Sequence, residues 1–594
     1  MIRILLASLT AVIFMAGCSS IMPQSETESQ RFNAFLDKSF EEAVGQMPEM
    51  LTNIGRKTRY SELNDYSENF DIKMKAFNEA KLAELKKFDY GKLDPQAQLS
   101  YKLFKKNAED SIADFQWKDY NYPINQMFGV HTSIPTFMMN QHRVDNEEDL
   151  HAYIARLNEF RRVFKEVIAG LERSEKAGVV APKFVFPYSI EASQNIIKGQ
   201  PFDNSKKDSP LFADFKTKLA GLKLDAAKND HFTRQAVDAL KNSVRPAYSD
   251  LITFMKAQEK RAKTDAGVWK FPRGDEFYKT MVERHTTTHM TPDEIHQLGL
   301  QNVARLQGEM RAVLKKLKYK GTLKQFMTKL RTDKSLYFPN TDEGRKAYLD
   351  LAKKYYDDIS LKIPQYFHLL PKAGFEIRAV EKFRENSAGV AFYENPSEDG
   401  KRPGIYYVNL RDMMVLPKHE AEAILYHEGV PGHHFQIALA QEMTTLPQFR
   451  KFSEYTAFVE GWGLYAERLG KDMGGYQDLY SEFGRLSAES LRAARLVVDT
   501  GIHSKHWTRE KAIKYMHDNI PGALDDQKNE IERYIVMPGQ ATAYMVGMLK
   551  IYDLREKTKA RLGDKFDIRK FHDVVLGNGA LPLDELETLV NQIN

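Results

Sequence analysis

The sequence predicts a large, mainly α-helical protein with one small β-hairpin, on three observations. Apolar residues recur at helical spacing through most of the 594 residues, the pattern of helices that bury one face. Strand-like runs are confined to one short stretch. The composition, 42% hydrophobic, 28% charged and 11% aromatic, is that of an ordinary soluble globular chain rather than a disordered one or a membrane bundle. A chain of this length has room for a large core and two or more structural units. Its 86 basic and 81 acidic residues nearly balance, for a net charge of +5, which speaks against a dedicated nucleic-acid surface.

The first residues are of another kind. Arg3 precedes an apolar run, Ile4 to Met15, and then Ala16-Gly17-Cys18-Ser19-Ser20. A positive start, an apolar segment too short to span a bilayer as a mature helix, and small residues describe a secretory signal over residues 1–17. Small residues directly before a cysteine resemble the lipobox of bacterial lipoproteins. That resemblance implies a lipidated Cys18 and a partner in the lipid bilayer. It places the protein in the cell envelope on the periplasmic side, with Ser19 favouring the outer membrane of a Gram-negative cell. The alternative is an ordinary signal peptide with a chance cysteine. Cys18 is the only cysteine, so there is no intramolecular disulfide, Cys-rich zinc site or cysteine nucleophile. Any metal must be held by His and Asp/Glu, the ligand set of hydrolytic sites.

Polar residues make 18–30 a flexible tether. From there the helical period dominates an N-terminal region, 31–270. Phe32, Phe35, Leu36 and Phe40 share one face, Leu82, Leu85 and Phe88 another, and Leu150, Tyr153, Ile154, Leu157, Phe160 and Phe164 a third. A loop-rich stretch near 178–210 carries Pro182, Pro187, Pro201 and Pro210. A second break, Phe271 to Asp275, opens the region 271–594, the two regions together forming one unit. Thr291-Pro292-Asp293-Glu294 starts a helix: Thr as N-cap, Pro at the first helical position, acids in the first turn. Ile295, Leu298, Val303, Leu306, Met310, Val313 and Leu317 form its buried face.

Between about 389 and 411, two aromatic and β-branched runs flank Pro396, Asp399-Gly400 and Pro403-Gly404. They predict a hairpin, Val390–Tyr393 against Ile405–Asn409. An exposed strand carrying Tyr407 and Asn409 is suited to binding a peptide backbone by β-addition; a purely structural hairpin fits the same residues.

A helix from Lys418 to about Val430 leads into His427-Glu428-Gly429-Val430-Pro431-Gly432-His433-His434. Histidine is the commonest metal ligand, and a neighbouring Glu is the usual base of zinc hydrolases. The partner ligand of His427 belongs four residues on, one helical turn away, but Pro431 stands there. Pro431-Gly432 should break the helix, and two extra residues at the bulge bring His433 into the second-ligand position, with His434 as the alternate. Downstream, Glu460 and Glu467 lie seven apart on an apolar helix with Phe458, Val459 and Trp462. A carboxylate in such company needs a partner: a metal or an arginine. His419-Glu420-x-Glu422-Ala423 begins like a zinc motif but lacks the second ligand, and reads as a solvated helix start.

His-Glu-x-x-Pro-Gly-His-His followed by Glu460-Gly-Trp462-x-Leu-Tyr-Ala-Glu467 resembles the bacterial domain-of-unknown-function family 885, considered related to gluzincin-type metallopeptidases. Thr286-Thr287-Thr288, Arg402-Pro403-Gly404, Arg495-Leu-Val-Val-Asp499-Thr-Gly-Ile-His503 and Arg533-Tyr534-x-x-x-Pro538-Gly539-Gln540-Ala541 carry the likeness over most of 31–590. It implies a multi-helix metallopeptidase-like fold with a cleft, as in thimet-oligopeptidase-like and Taq-carboxypeptidase-like enzymes. It further implies one zinc ion on His427, His433 and Glu460, and hydrolysis of a peptide substrate with Glu428 as base. Arg495, Asp499 and His503 fall at i, i+4 and i+8 on one helix face. Asp499 either orients His503 near the reaction centre, with Arg495 and Glu467 as further supporting groups, or belongs to an ion-pair ladder. Tyr534 and Tyr544 flank the Pro538-Gly539 break; Tyr544 is the preferred donor to a developing oxyanion. A non-catalytic envelope binding protein, or a metal amidohydrolase acting on cell-wall or acyl-amino-acid amides, would use the same residues. No Gly-x-Ser-x-Gly elbow for serine catalysis occurs.

Overall fold

In a computed structural model, residues 26–594 are described apart from 381, 383–384, 386–388 and 397–401. The segment expected to be a secretory signal, and Cys18, lie outside the described residues. The fold is mainly α, with one three-stranded mixed sheet. No helix among the described residues is long and apolar enough to cross a membrane. The first helix, Glu28–Val44, begins inside the stretch expected to be tether, because Thr27 and Gln30 close a reciprocal cap on its first turn.

Two large hydrophobic cores organise the chain. One runs from Leu63 to Met255 around the helix Glu147–Lys176, whose Leu150, Tyr153, Leu157, Phe160 and Phe164 are buried as the periodicity requires. The second extends from Leu99 to Val590. Leu99 and Leu103 of the helix Pro95–Asp114 belong to this second core, as does Trp117 just beyond it, so part of the N-terminal region packs into the C-terminal core. The stretch near 178–210 is less irregular than its prolines suggest: Val185–Ile196 is a helix burying Phe186 and Ile190. Pro187 falls in its first turn, where the missing amide has no helical acceptor to lose.

The helix opened by Thr291 spans Pro292–Lys316, with Thr291 and Glu294 capping each other. It packs along the long helix Leu479–His503, which supplies a floor for the C-terminal core. Beside this pair, three helices carry the residues of interest: Ala421–Glu428, His433–Glu442 and Thr456–Asp472. The helix Ala543–Leu562 crosses the last of these at very short range. A Cβ on Gly461 would lie 2.5 Å from the Gly547 carbonyl carbon, and one on Gly547 would lie 1.8 Å from the Ala457 oxygen. Only two glycines facing one another permit that approach. It sets Tyr544, one turn from Gly547, beside the helix bearing Glu460.

The sheet differs from the expected hairpin. Strands β2 (Ala391–Glu394) and β3 (Gly404–Val408) do pair antiparallel, Phe392 opposite Tyr407. A further strand, β1 (Phe375–Ala379), pairs parallel with β3, giving the order β1-β3-β2. Tyr407 is therefore in the central strand, between Arg378 and Phe392, with all five β3 residues buried. The Asn409 amide donates to the Val390 carbonyl, and its side chain donates to that of Glu385. The expected substrate strand thus has no free edge; both ladder directions of β3 are used inside the protein. β1 carried no hairpin signal, because a parallel partner arrives by a long connection rather than a turn.

Gly547→Ala tests the close crossing. The added methyl cannot fit without separating two helices, and overpacking of this kind costs about 1–3 kcal/mol or more. The expected result is a lower urea midpoint together with weaker divalent-metal binding, measured on the same preparation.

Candidate metal centre

The helix carrying His427 ends at Glu428 and restarts at His433. Gly429 and Gly432 take backbone angles outside the helical range, and Pro431 interrupts the ladder between them. The break leaves the Pro431 carbonyl without a helical donor, and the Trp462 indole N–H satisfies it at 2.8 Å. The two sequence motifs are thus physically tied: the Trp of the second holds the bulge of the first.

This bulge re-aims His433. His427 Nε2 and His433 Nε2 each lie 3.5 Å from Glu460 Oε2, and the ligand atoms of the three residues all fall within 4.8 Å of one another. A tetrahedral ion with bonds of about 2.0–2.1 Å has ligand–ligand edges of about 3.3 Å. The spacing fits one ion, and His427, His433 and Glu460 could hold it. His434 turns elsewhere: its Nδ1 meets the Tyr393 hydroxyl at 2.9 Å and its ring packs on Phe375. Burial pushes its pKa down to about 4, so His434 stays a neutral packing residue. The alternate ligand is not brought to the set.

The surroundings supply the support such a site needs. His427 Nδ1 bonds to Glu467 Oε1 at 2.8 Å, an arrangement that fixes the ring and leaves Nε2 for a metal. Gly463 lets that ring lie against the helix backbone, since a Cβ there would be 2.8 Å from His427 Cε1. Burial alone would lower the His427 pKa, but its bonds to Glu460 and Glu467 lift it to about 9. Burial would raise Glu460, yet the hydrogen bonds and charges of His427 and His433 hold it well below the usual carboxylate range. The two carboxylates thus favour a proton on His427, and a cation bound at the same place would compete with that proton. Glu428 is half-buried, and its side chain has no hydrogen bond or ion pair among the described residues.

Arg495, Asp499 and His503 share the long helix but do not form a relay. His503 accepts from the Val268 amide on Nδ1 at 3.2 Å, and its Nε2 meets the Tyr534 carbonyl at 3.0 Å. With no exposed surface and both nitrogens engaged by backbone, His503 ties loops together instead of facing a reaction centre. Asp499 accepts from the Tyr278 hydroxyl at 2.6 Å and from the Gly539 amide; it anchors the Pro538-Gly539 turn. Tyr534 is likewise committed, accepting from Arg495 Nε and donating to Glu530. Tyr544 differs. Its oxygen accepts from Arg533 at 3.1 Å and Gln540 at 3.4 Å, which leaves its own proton without an acceptor among the described residues. His419 is buried rather than solvated, and Glu422 beside it accepts from Tyr426, Tyr476 and Ser481. Arg492 and Glu530 were not singled out in the sequence. For Arg492 the available signal was an arginine pair three residues apart on one helix face (LRAAR); Glu530 offered none.

Residues 48–590 match the family described as bacterial protein of unknown function, DUF885. The chain belongs to this family. Its fold is shared with a crystal structure of a candidate lipoprotein from Colwellia psychrerythraea, at 30% identity and a TM-score of 0.89, over 95% of this chain and 99% of that one. A second structure, a candidate lipoprotein of unknown function from Shewanella oneidensis, aligns with a TM-score of 0.72 at 20% identity, over 95% of this chain and 100% of that one. No curated protein matches the sequence.

Two outcomes follow from this geometry. Glu467→Gln removes the ionised acceptor behind His427 and should weaken metal binding about 10–100-fold, read by competition with a chromophoric chelator. Asp499 is raised by burial to about 7, against about 3.9 unfolded. The native state therefore holds this proton more tightly, so stability falls as pH rises between those values, by up to about 1.4 kcal/mol per unit. Asp499→Asn, which keeps an oxygen for Tyr278, should show a flatter urea midpoint than the parent between pH 5 and 7.5; parallel profiles would exclude the assignment.

Proposed function

We propose that this DUF885 protein is a zinc metallopeptidase held in the bacterial envelope by lipid on Cys18. The observation that carries the reading is the pair of imidazole nitrogens, each 3.5 Å from one Glu460 oxygen, with the unpartnered Glu428 directly after His427. Two His and one Glu leave a fourth position open, the donor set of hydrolytic zinc rather than of structural zinc. When bound, zinc lowers the pKa of a coordinated water to about 7 and polarises a carbonyl. The anchor is supported by the small residues before Cys18 and by the two structural relatives, both described as candidate lipoproteins.

The chain's own groups divide the remaining work. Glu467 keeps His427 in the tautomer that presents Nε2. Glu428 takes a proton from the attacking water and passes it to the leaving amine. Tyr544, its oxygen already accepting two hydrogen bonds, is left as a donor to the oxygen of the scissile carbonyl. Trp462 holds the bulge in place, so that His433 keeps its position as substrate enters.

Glu428→Gln should retain a full equivalent of zinc and lose about 10²–10⁴ in kcat on an unstructured peptide, with the parent's activity abolished by chelation and restored by zinc. A zinc-replete Glu428→Gln protein with parental turnover would sink this mechanism.

A further inference from the structure

A cluster of arginines adjoins the metal centre in excess of the carboxylates available to it. The guanidiniums of Arg492, Arg495 and Arg533 lie 5.9, 4.4 and 6.0 Å from the centroid of the Tyr544 ring. Within 4 Å they meet two carboxylates. Glu530 pairs with Arg495 at 2.7 Å and Arg533 at 3.5 Å. Glu467 lies 3.5 Å from Arg492 but gives its shorter bond, 2.8 Å, to His427. Three cations thus share one dedicated carboxylate and part of a second, in a place where unbalanced charge is costly.

Individual donors are left over as well. Arg495 is nine-tenths buried and its Nη1 has no acceptor; Arg492 Nε is buried without one too. The Tyr544 hydroxyl proton is the third spare donor. Buried donors are almost always paired, and a planar carboxylate is the partner that guanidinium forks fit best. Arg492 and Arg533 keep 16% and 14% of their side chains open, so an incoming group can reach the cluster.

We propose that Arg492, Arg495, Arg533 and Tyr544 bind a carboxylate of the peptide, so that the substrate is fixed by an anionic group near the bond to be cut. This rests on the peptidase reading for its substrate. The carboxylate can be the free C-terminus, which makes the enzyme a carboxypeptidase in the broad sense, or an acidic side chain.

The test is binding, with cleavage scored separately. Calorimetry on the full folded protein compares N-acetyl-Ala-Ala as free acid, N-acetyl-Ala-Ala amide and N-acetyl-Ala-Glu amide. The expected result is the free acid bound at least about tenfold tighter than the first amide, the step expected for a charge-assisted hydrogen bond. Arg533→Gln and Arg492→Gln should erase that difference, and Arg533→Lys should restore part of it at an unchanged melting temperature. If the Glu amide binds as tightly as the acid, the site takes a side-chain carboxylate. Equal binding of all three ligands, or binding of none, overturns the proposal; tight binding of the Glu amide alone assigns the site to an acidic side chain. Selective binding of the acid without hydrolysis of any peptide by the zinc-loaded protein would instead overturn the peptidase reading and leave the carboxylate site standing.

Discussion

The site depends on one electrostatic constraint: Glu460 and Glu467 are carboxylates set in an apolar helix, and neither can stay charged there without a cation. His427 sits between them, 3.5 Å from one and 2.8 Å from the other, and Arg492 lies 3.5 Å from Glu467 on its other side. His433 completes the contact to Glu460. Because a divalent ion satisfies the same charges at the same spacing, the arrangement that stabilises the metal-free fold also presents the donors of a metal site. Fold stability and ligand geometry are one requirement in this region.

Backbone proximity makes that requirement attainable. Gly461 and Gly547 let two helices touch, and Gly463 lets the His427 ring lie on the backbone of the Glu460 helix. Side chains at these positions would hold the donors apart. The Trp462 bond to the Pro431 carbonyl then converts a broken helix into a defined one, so the bulge is a fixed turn rather than a frayed end. These contacts all come from the short segment 460–463, which explains why Glu, Trp and two glycines stand together there.

Around this centre the long helix Leu479–His503 acts as a backbone for the charge network. Glu482, Arg485 and Glu489 form buried ion pairs along its length, Arg492 reaches Glu467, Arg495 reaches Glu530, and Asp499 anchors the Gly539 turn. Network members on a single rigid element hold their separations, which is the condition for preorganised electrostatics. The excess of arginine at the Tyr544 end is the point where this network stops balancing itself.

The helical class, the capped helix at Thr291 and the pairing of His427 with His433 were legible from spacing, because helical period and proline geometry are local properties; Glu460 was legible only as a carboxylate in need of a partner, and the family resemblance joined it to the two histidines. Tertiary structure alone decided what depended on distant neighbours. It turned His434 towards Tyr393, enclosed Tyr407 in a central strand through the unannounced β1, and spent both nitrogens of His503 on backbone groups. It also gathered Arg492, Arg495 and Arg533 round Tyr544, from two helices whose separation in sequence carries no signal of contact. The sequence determined which residue types could bind a metal; packing determined which of them face one another, since a side chain's partner is set by the elements that close over it.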